Sequence, residues 1–215
     1  MNHPARLAAA VLTATMVVLG TACGSEGGDS PSDPIKSAAG GDGKTSASPS
    51  LSASHDGVKR PEIKLSKDFQ AHFESWTNSD PKLQAILNGG REELRSKYAA
   101  IIEADPESKA VAFYNSDATQ ATARKWIRQF TDDSDSIIGK VRVFDPQVHL
   151  SDTGSGVLFY CVDERQASTK NRKTEKVVKT PDKPDSLIQY RLRLDKSSEG
   201  VWKTTSLTTV PGACS

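Results

Sequence analysis

Val157-Leu158-Phe159-Tyr160-Cys161-Val162 is the stretch that decides the fold. Six residues in a row leave no polar face, so the segment reads as a central strand covered on both sides. Before it, Asp152-Thr153-Gly154-Ser155-Gly156 is turn chemistry, and Val141 and Val143 alternate with Lys140, Arg142 and Phe144. After it, Ile188, Tyr190, Leu192 and Leu194 alternate with Gln189, Arg191 and Arg193. Ser197-Ser198-Glu199-Gly200 turns the chain again, and a last strand runs from Val201 to Val210. Strands with period two, joined by short polar turns, make an antiparallel meander.

Upstream the period is helical. Ser66 is placed to cap a helix with Phe69, Phe73 and Trp76 on one face, at i, i+4 and i+7. Asp80-Pro81 starts a second helix, with Asp at the cap and Pro in the first turn. It carries Leu83, Ile86 and Leu87, then Leu94, Tyr98, Ile101 and Ile102, with Gly89-Gly90 expected to break or bend it. Asp105-Pro106 stops it. A third helix, Ala118 to Phe130, puts Ala123, Trp126, Ile127 and Phe130 on one face. Trp76, Trp126 and Trp202 all fall at patterned apolar positions, so core packing is expected of them. Helices first and strands afterwards predict an α+β domain.

The front of the chain reads as an export signal over residues 1–22. Arg6 precedes an apolar run from Leu7 to Leu19 of about 13 residues, against the about 20 a spanning helix needs. Cys23 follows Gly20-Thr21-Ala22, similar to the lipobox of bacterial lipoproteins, whose cysteine receives a diacylglycerol. Leu19 lies one place further from the cysteine than that pattern has it. The alternative is plain secretion with Cys23 left as a thiol. Residues 23–58 are rich in Gly, Ser, Pro and Asp and too poor in apolar residues to offset chain entropy, so they read as a disordered tether. Residues 59–215 suit one folded domain.

The chain carries 28 basic and 27 acidic residues, and the signal holds Arg6 alone among them. A near-neutral mature chain argues against a nucleic-acid partner. Cys161 and Cys214 remain once Cys23 is assigned to lipid. In an oxidising compartment one disulfide is the simplest account, and two buried thiols the alternative. His3, His55, His72 and His149 are scattered, so no metal or other cofactor is expected. Asp152-Thr153-Gly154-Ser155 imitates an aspartic-protease loop, but that chemistry needs two such aspartates. Asp132, Asp133 and Asp135 lack the glycine and glutamate of a calcium loop. Lys170, Arg172, Lys173, Lys176 and Lys179 form the one basic concentration, read as a solvated hairpin arm or as a contact for anionic headgroups or wall polymers. Asp163 follows the central strand, where a buried carboxylate needs a partner such as Arg142 or Arg191, or marks a site.

The chain resembles the NTF2-like, or SnoaL-like, cone domains. More narrowly it is similar to actinomycete membrane-anchored lipoproteins that end in one. The matching stretches are Lys125-Trp126-Ile127, the run from Ile138 to Val148, Tyr160-Cys161-Val162-Asp163, and Gly200-Val201-Trp202-Lys203 leading to Gly212-Ala213-Cys214. The resemblance covers about residues 61–215. It implies helices packed on a curved, mostly antiparallel sheet, a bonded cysteine pair, and dimerisation through the sheet as a common property. NTF2-like enzymes such as ketosteroid isomerases place an Asp base and a Tyr acid in the cone, and no motif here maps those roles. No nucleophile elbow, phosphate loop, dinucleotide fingerprint or zinc motif occurs.

Besides a purely structural envelope protein that docks to another through its sheet faces, two readings follow. One is a lipid-anchored module on the outer face of the cell membrane that binds a small apolar ligand or an envelope protein, with no catalytic residue. The other is an enzyme using the cone for acid–base work through Asp163, Tyr160 or Tyr190. An open cone with a raised-pKa carboxylate at its floor favours the enzyme, and a filled cone favours the module. For the anchor, Cys23→Ala is expected to move the protein from the membrane fraction to the medium or to leave it unprocessed. Unchanged membrane retention would exclude lipid at Cys23.

Overall fold

The computed structural model describes residues 57–214. The expected signal, Cys23 and nearly all of the expected tether lie outside the described residues. The order of elements is β1 (Phe69–Phe73), α1 (Pro81–Glu103), α2 (Lys109–Tyr114), α3 (Asp117–Thr131), β2 (Asp135–Leu150), β3 (Gly156–Asp163), β4 (Ala167–Asn171), β5 (Val177–Lys179), β6 (Leu187–Lys196) and β7 (Trp202–Pro211). The strands form one sheet in the order β5-β4-β2-β3-β6-β7, with β1 added to β2. Every pairing is antiparallel except β1 with β2. The class is α+β, with one strand first, then the helices, then the meander.

Strand β2 is the spine. Its first part pairs with β4, from Asp135 to Gly139, and its second part with β3, from Arg142 to Leu150. Two irregularities bend it. Gly139 has φ +92°, and a Cβ there would lie 2.3 Å from the Gln166 carbonyl oxygen. The register shifts between Phe144 and Gln147, where Asp145 has φ 50°. Breaks of this kind curve a strand and turn a flat sheet into a concave one.

Helix α1 begins as expected. Asp80 Oδ1 accepts hydrogen bonds from the backbone N–H of Lys82 at 2.7 Å and of Leu83 at 3.3 Å, and Pro81 sits in the first turn. Gly89-Gly90 does not break it; the helix runs unbroken to Glu103. The glycines serve contact instead. A Cβ on Gly89 would lie 3.0 Å from Trp202 Cβ, and one on Gly90 would lie 2.3 Å from Leu158 Cδ2. Ile86, Leu87, Leu94 and Ile101 of α1 are fully buried and share one core with Val143, Leu158, Leu192 and Leu194 of the sheet. Each such side chain contributes roughly 1.5–3 kcal/mol by leaving water.

The first expected helix is a strand. Phe69, Ala71 and Phe73 point one way and Gln70 and His72 the other, and the segment pairs in parallel with Gly139–Val143. Phe69 and Phe73 satisfy a period of two as well as a spacing of four, so the contact with β2 decides between them. Ser66 Oγ accepts from the Asp68 N–H in a tight turn before the strand, and caps no helix.

Cys161 and Cys214 are bonded, with Cα atoms 6.1 Å apart. The bond joins central β3 to the segment after β7. It closes a loop of 53 residues' separation, a constraint on the unfolded chain of about 4 kcal/mol in the chain-entropy account. Non-reduced protein is expected to be two hydrogens lighter than reduced protein by mass spectrometry. Cys214→Ser is expected to lower unfolding stability by about 2–5 kcal/mol in denaturant titrations. Two freely alkylated thiols would overturn both expectations.

Candidate functional site

The concave side of the sheet is not filled. A cavity of about 400 Å³ lies between it and helices α1 and α3, within the range of small-molecule sites. Phe69, Tyr98, Trp126, Phe130, Ile137, Val141 and Ile188 give it apolar walls. Rings meet in a chain around it. Phe69 and Tyr98 have centroids 5.0 Å apart, Tyr98 and Trp126 6.4 Å, and Trp126 and Phe130 5.4 Å. Thr119, Thr122, Thr169, Thr180 and Thr209 add hydroxyls on other sides.

Two charges lie among these rings. Glu93 and Lys97 stand one turn apart on α1, with Lys97 Nζ 3.0 Å from Glu93 Oε1. Their side chains are 1% and 6% exposed. Lys97 Nζ also lies 5.7 Å from the Trp126 ring centroid and 5.6 Å from that of Tyr190, so two π faces share its charge. The pair is a contact of charges. Neither Glu93 oxygen receives a well-directed hydrogen bond, and the buried hydroxyls of Tyr98 and Tyr160 also lack a partner, among the described residues. Burial pushes all three tyrosines, 98, 160 and 190, well above the ordinary phenol range, helped by the Glu93 charge. They are neutral donors at physiological pH.

Glu164 also lines the cavity. Burial, and then the neighbouring Asp163 charge, raise its carboxyl above the usual range. Thus the cavity holds one raised-pKa carboxyl, one carboxylate–ammonium pair and neutral phenols in a mostly apolar space. That set can orient a polar group of a ligand and exchange a proton with it.

Asp163 is placed differently from expectation. Its side chain is 12% exposed and does not line the cavity. Its partner is Arg165, which donates from the backbone N–H at 3.0 Å, from Nε at 2.9 Å and from Nη2 at 2.7 Å. Arg142 lies opposite Asp163 in register, but its guanidinium donates to Glu74 at 3.3 Å and rests 3.9 Å from the Phe144 centroid. Arg191 registers with Phe159 and donates to Gln189, about 13 Å of strand away from Asp163. Tyr190 reaches the cavity wall, whereas Tyr160 is stacked behind it at 5.1 Å. Asp152-Thr153-Gly154 is a turn, and no group of metal-binding side chains occurs among the described residues.

Glu93, Lys97 and Glu164 were not singled out from sequence. The signal for the first two was present. Glu93 and Lys97 fall seven and eleven residues after Ile86, within about 20° of its direction on a helix of 100° per residue. A carboxylate and a lysine on the core-facing stripe are out of pattern.

Helices laid on the concave side of a bent antiparallel sheet, around an open cavity, define the architecture. The fold is an α+β cone, the architecture that the resemblance to NTF2-like domains implies. No protein-family model matches the chain, and no curated protein matches it. Similar solved structures include the intermembrane space region of chloroplast protein ARC6, at 10% identity, covering 60% of this chain and 96% of that one with a TM-score of 0.44. A ketosteroid isomerase-like protein from Erwinia carotovora atroseptica matches at 15% identity, covering 60% and 95%, with a TM-score of 0.43. Aln2 from a Streptomyces species matches at 15% identity, covering 63% and 94%, with a TM-score of 0.42. These are likenesses of backbone course, and no residue role is carried from them to the cone described above.

The Arg165 hydrogen bonds hold the Asp163 carboxyl below its usual range. A depressed folded pKa gives stability that is present above the unfolded value and is lost as pH falls through the folded one. Asp163→Asn is therefore expected to lower the melting temperature slightly near neutrality, with the difference closing as pH falls below the ordinary carboxylate range and through the depressed folded value. A difference that persists in acid would show that the carboxylate charge is not its source.

Proposed function

We propose that the NTF2-like cone takes up a small, largely apolar molecule bearing one polar group, and that lipid on Cys23 holds this module at the outer face of the cell membrane. The observation that supports it is the open cavity with polar groups confined to a few points. Aromatic walls favour an apolar body. The buried phenol of Tyr98 lacks a hydrogen-bond partner among the described residues, and leaving such a group unpaired costs on the order of 1–3 kcal/mol. A ligand whose polar end reaches it recovers that cost. A filled cone would have left only outer surfaces for a protein partner, so the open one favours a small molecule.

Glu164 supports a second reading, acid–base chemistry on the same ligand, since an open cone lined by a raised-pKa carboxyl is the arrangement that favours the enzyme. A carboxyl raised by burial beside an apolar cavity keeps its proton to higher pH than an exposed one, which suits it to donate that proton to a bound ligand. Under that reading Glu164→Gln keeps ligand binding and loses turnover.

Anilinonaphthalene sulfonate, an apolar anion, is a suitable first probe. It is expected to quench Trp126 on binding and to bind at least about tenfold more weakly to Ala123→Phe. Ala123 is buried and lines the cavity, so the larger ring blocks the space without exposing the core. Equal binding by the two chains, at equal melting temperatures, would refute the cone as the site.

A further inference from the structure

We propose that the β4–β5 hairpin is a membrane-docking element that seats on anionic lipid headgroups. From Ala167 to Thr180 the chain has five basic residues and one acidic residue, Glu175. The structure sorts them. Arg172 is structural, because its guanidinium donates to the carbonyls of Ile101, Ile102 and Asp135 and fixes the hairpin to the end of α1 and the start of β2. Lys170 pairs with Glu175. Lys173, Lys176 and Lys179 have no ion pair among the described residues. The acids that follow are engaged elsewhere, Asp182 with Arg165 and Asp185 with Lys183.

Between these lysines stand two exposed valines. Val177 and Val178 are 47% and 54% exposed, and with Leu150 they are the exposed large apolar residues among those described. They form most of β5, the edge strand of the sheet. Lysines beside an edge strand also discourage pairing with another chain, but that duty asks nothing of the valines. A soluble polyanion would meet the lysines and leave the valines in water. Val177 and Val178 point to opposite faces of β5, so an anionic bilayer surface met by the edge of that strand takes both, with ammonium groups at the phosphates and valines at the acyl boundary. Each lysine near such a surface strengthens partitioning about fivefold, so three give roughly a hundredfold. Thr169 and Thr180 of the same hairpin line the cone, so a seated hairpin brings the cavity rim to the bilayer.

The proposal does not depend on lipid at Cys23, and the test removes that lipid. The chain from residue 23 onward, carrying Cys23→Ser and so free of both the signal and the lipid, is sedimented with vesicles of phosphatidylcholine plus phosphatidylglycerol, and with phosphatidylcholine alone. Binding is expected only to the anionic vesicles and should fall as salt rises. Lys176→Glu should weaken it at least about fivefold, and Val177→Ser with Val178→Ser should weaken it at unchanged charge. Lys82→Glu, the same charge change at the exposed start of α1, should leave it unaltered. Absence of binding to anionic vesicles would overturn the proposal. So would equal loss in Lys82→Glu and Lys176→Glu, which indicates net-charge attraction, or full binding by the valine double variant, which indicates edge-guarding lysines.

Discussion

Where α1 crosses the sheet, the helix backbone lies directly against residues of the strands, and glycine permits it. Gly89 and Gly90 bring the helix onto Trp202 and Leu158. Lys97 lies about 10 Å further along the axis, and there the helix faces rings and a cavity instead of packed leucines. Contact at one point and clearance at the other make a wedge. The bends in β2 at Gly139 and Asp145 deepen it from the sheet side. The cone depends on both, since a straight β2 or a bulky residue at either glycine would part the helix from the sheet or close the gap evenly.

The polar content of that wedge has no stabilising reason to exist. Replacing a buried ion pair by apolar residues of similar volume is often neutral or favourable. Glu93 and Lys97 therefore add little that two leucines would not. What they add is direction, a charge held in a low-dielectric space where its interaction with an incoming group is strong. Their cost is spread over the aromatic faces of Trp126 and Tyr190, which also form the walls.

Most of the sheet was legible in the sequence because each long strand writes its own period. The parallel strand β1 was not, since Phe69 and Phe73 fit two periods and its partner lies about 70 residues away. β4 and β5 were legible only as a charged arm, because three of their eight residues are lysine or asparagine with no apolar alternation to read. The site was missed by one position. Cys161 and Asp163 share a face of β3, and the next residue, Glu164, turns to the cavity. Parity alone separates the two acids. The unbroken apolar run of β3 hid that parity, because a strand covered on both sides shows no alternation from which to count.

The Cys161–Cys214 bond carries information about time. A chain grows from its N-terminus, so Cys161 is made 53 residues before the partner it bonds in the finished fold. At roughly 5–20 residues per second that gap is on the order of 3–10 s. Through that interval the central strand carries an unmated thiol, and β6 and β7 are still arriving. The bond thus closes only after the residues of every strand of the sheet have been made. It cannot guide any pairing that forms before Cys214 arrives, and over such pairings it acts as a latch.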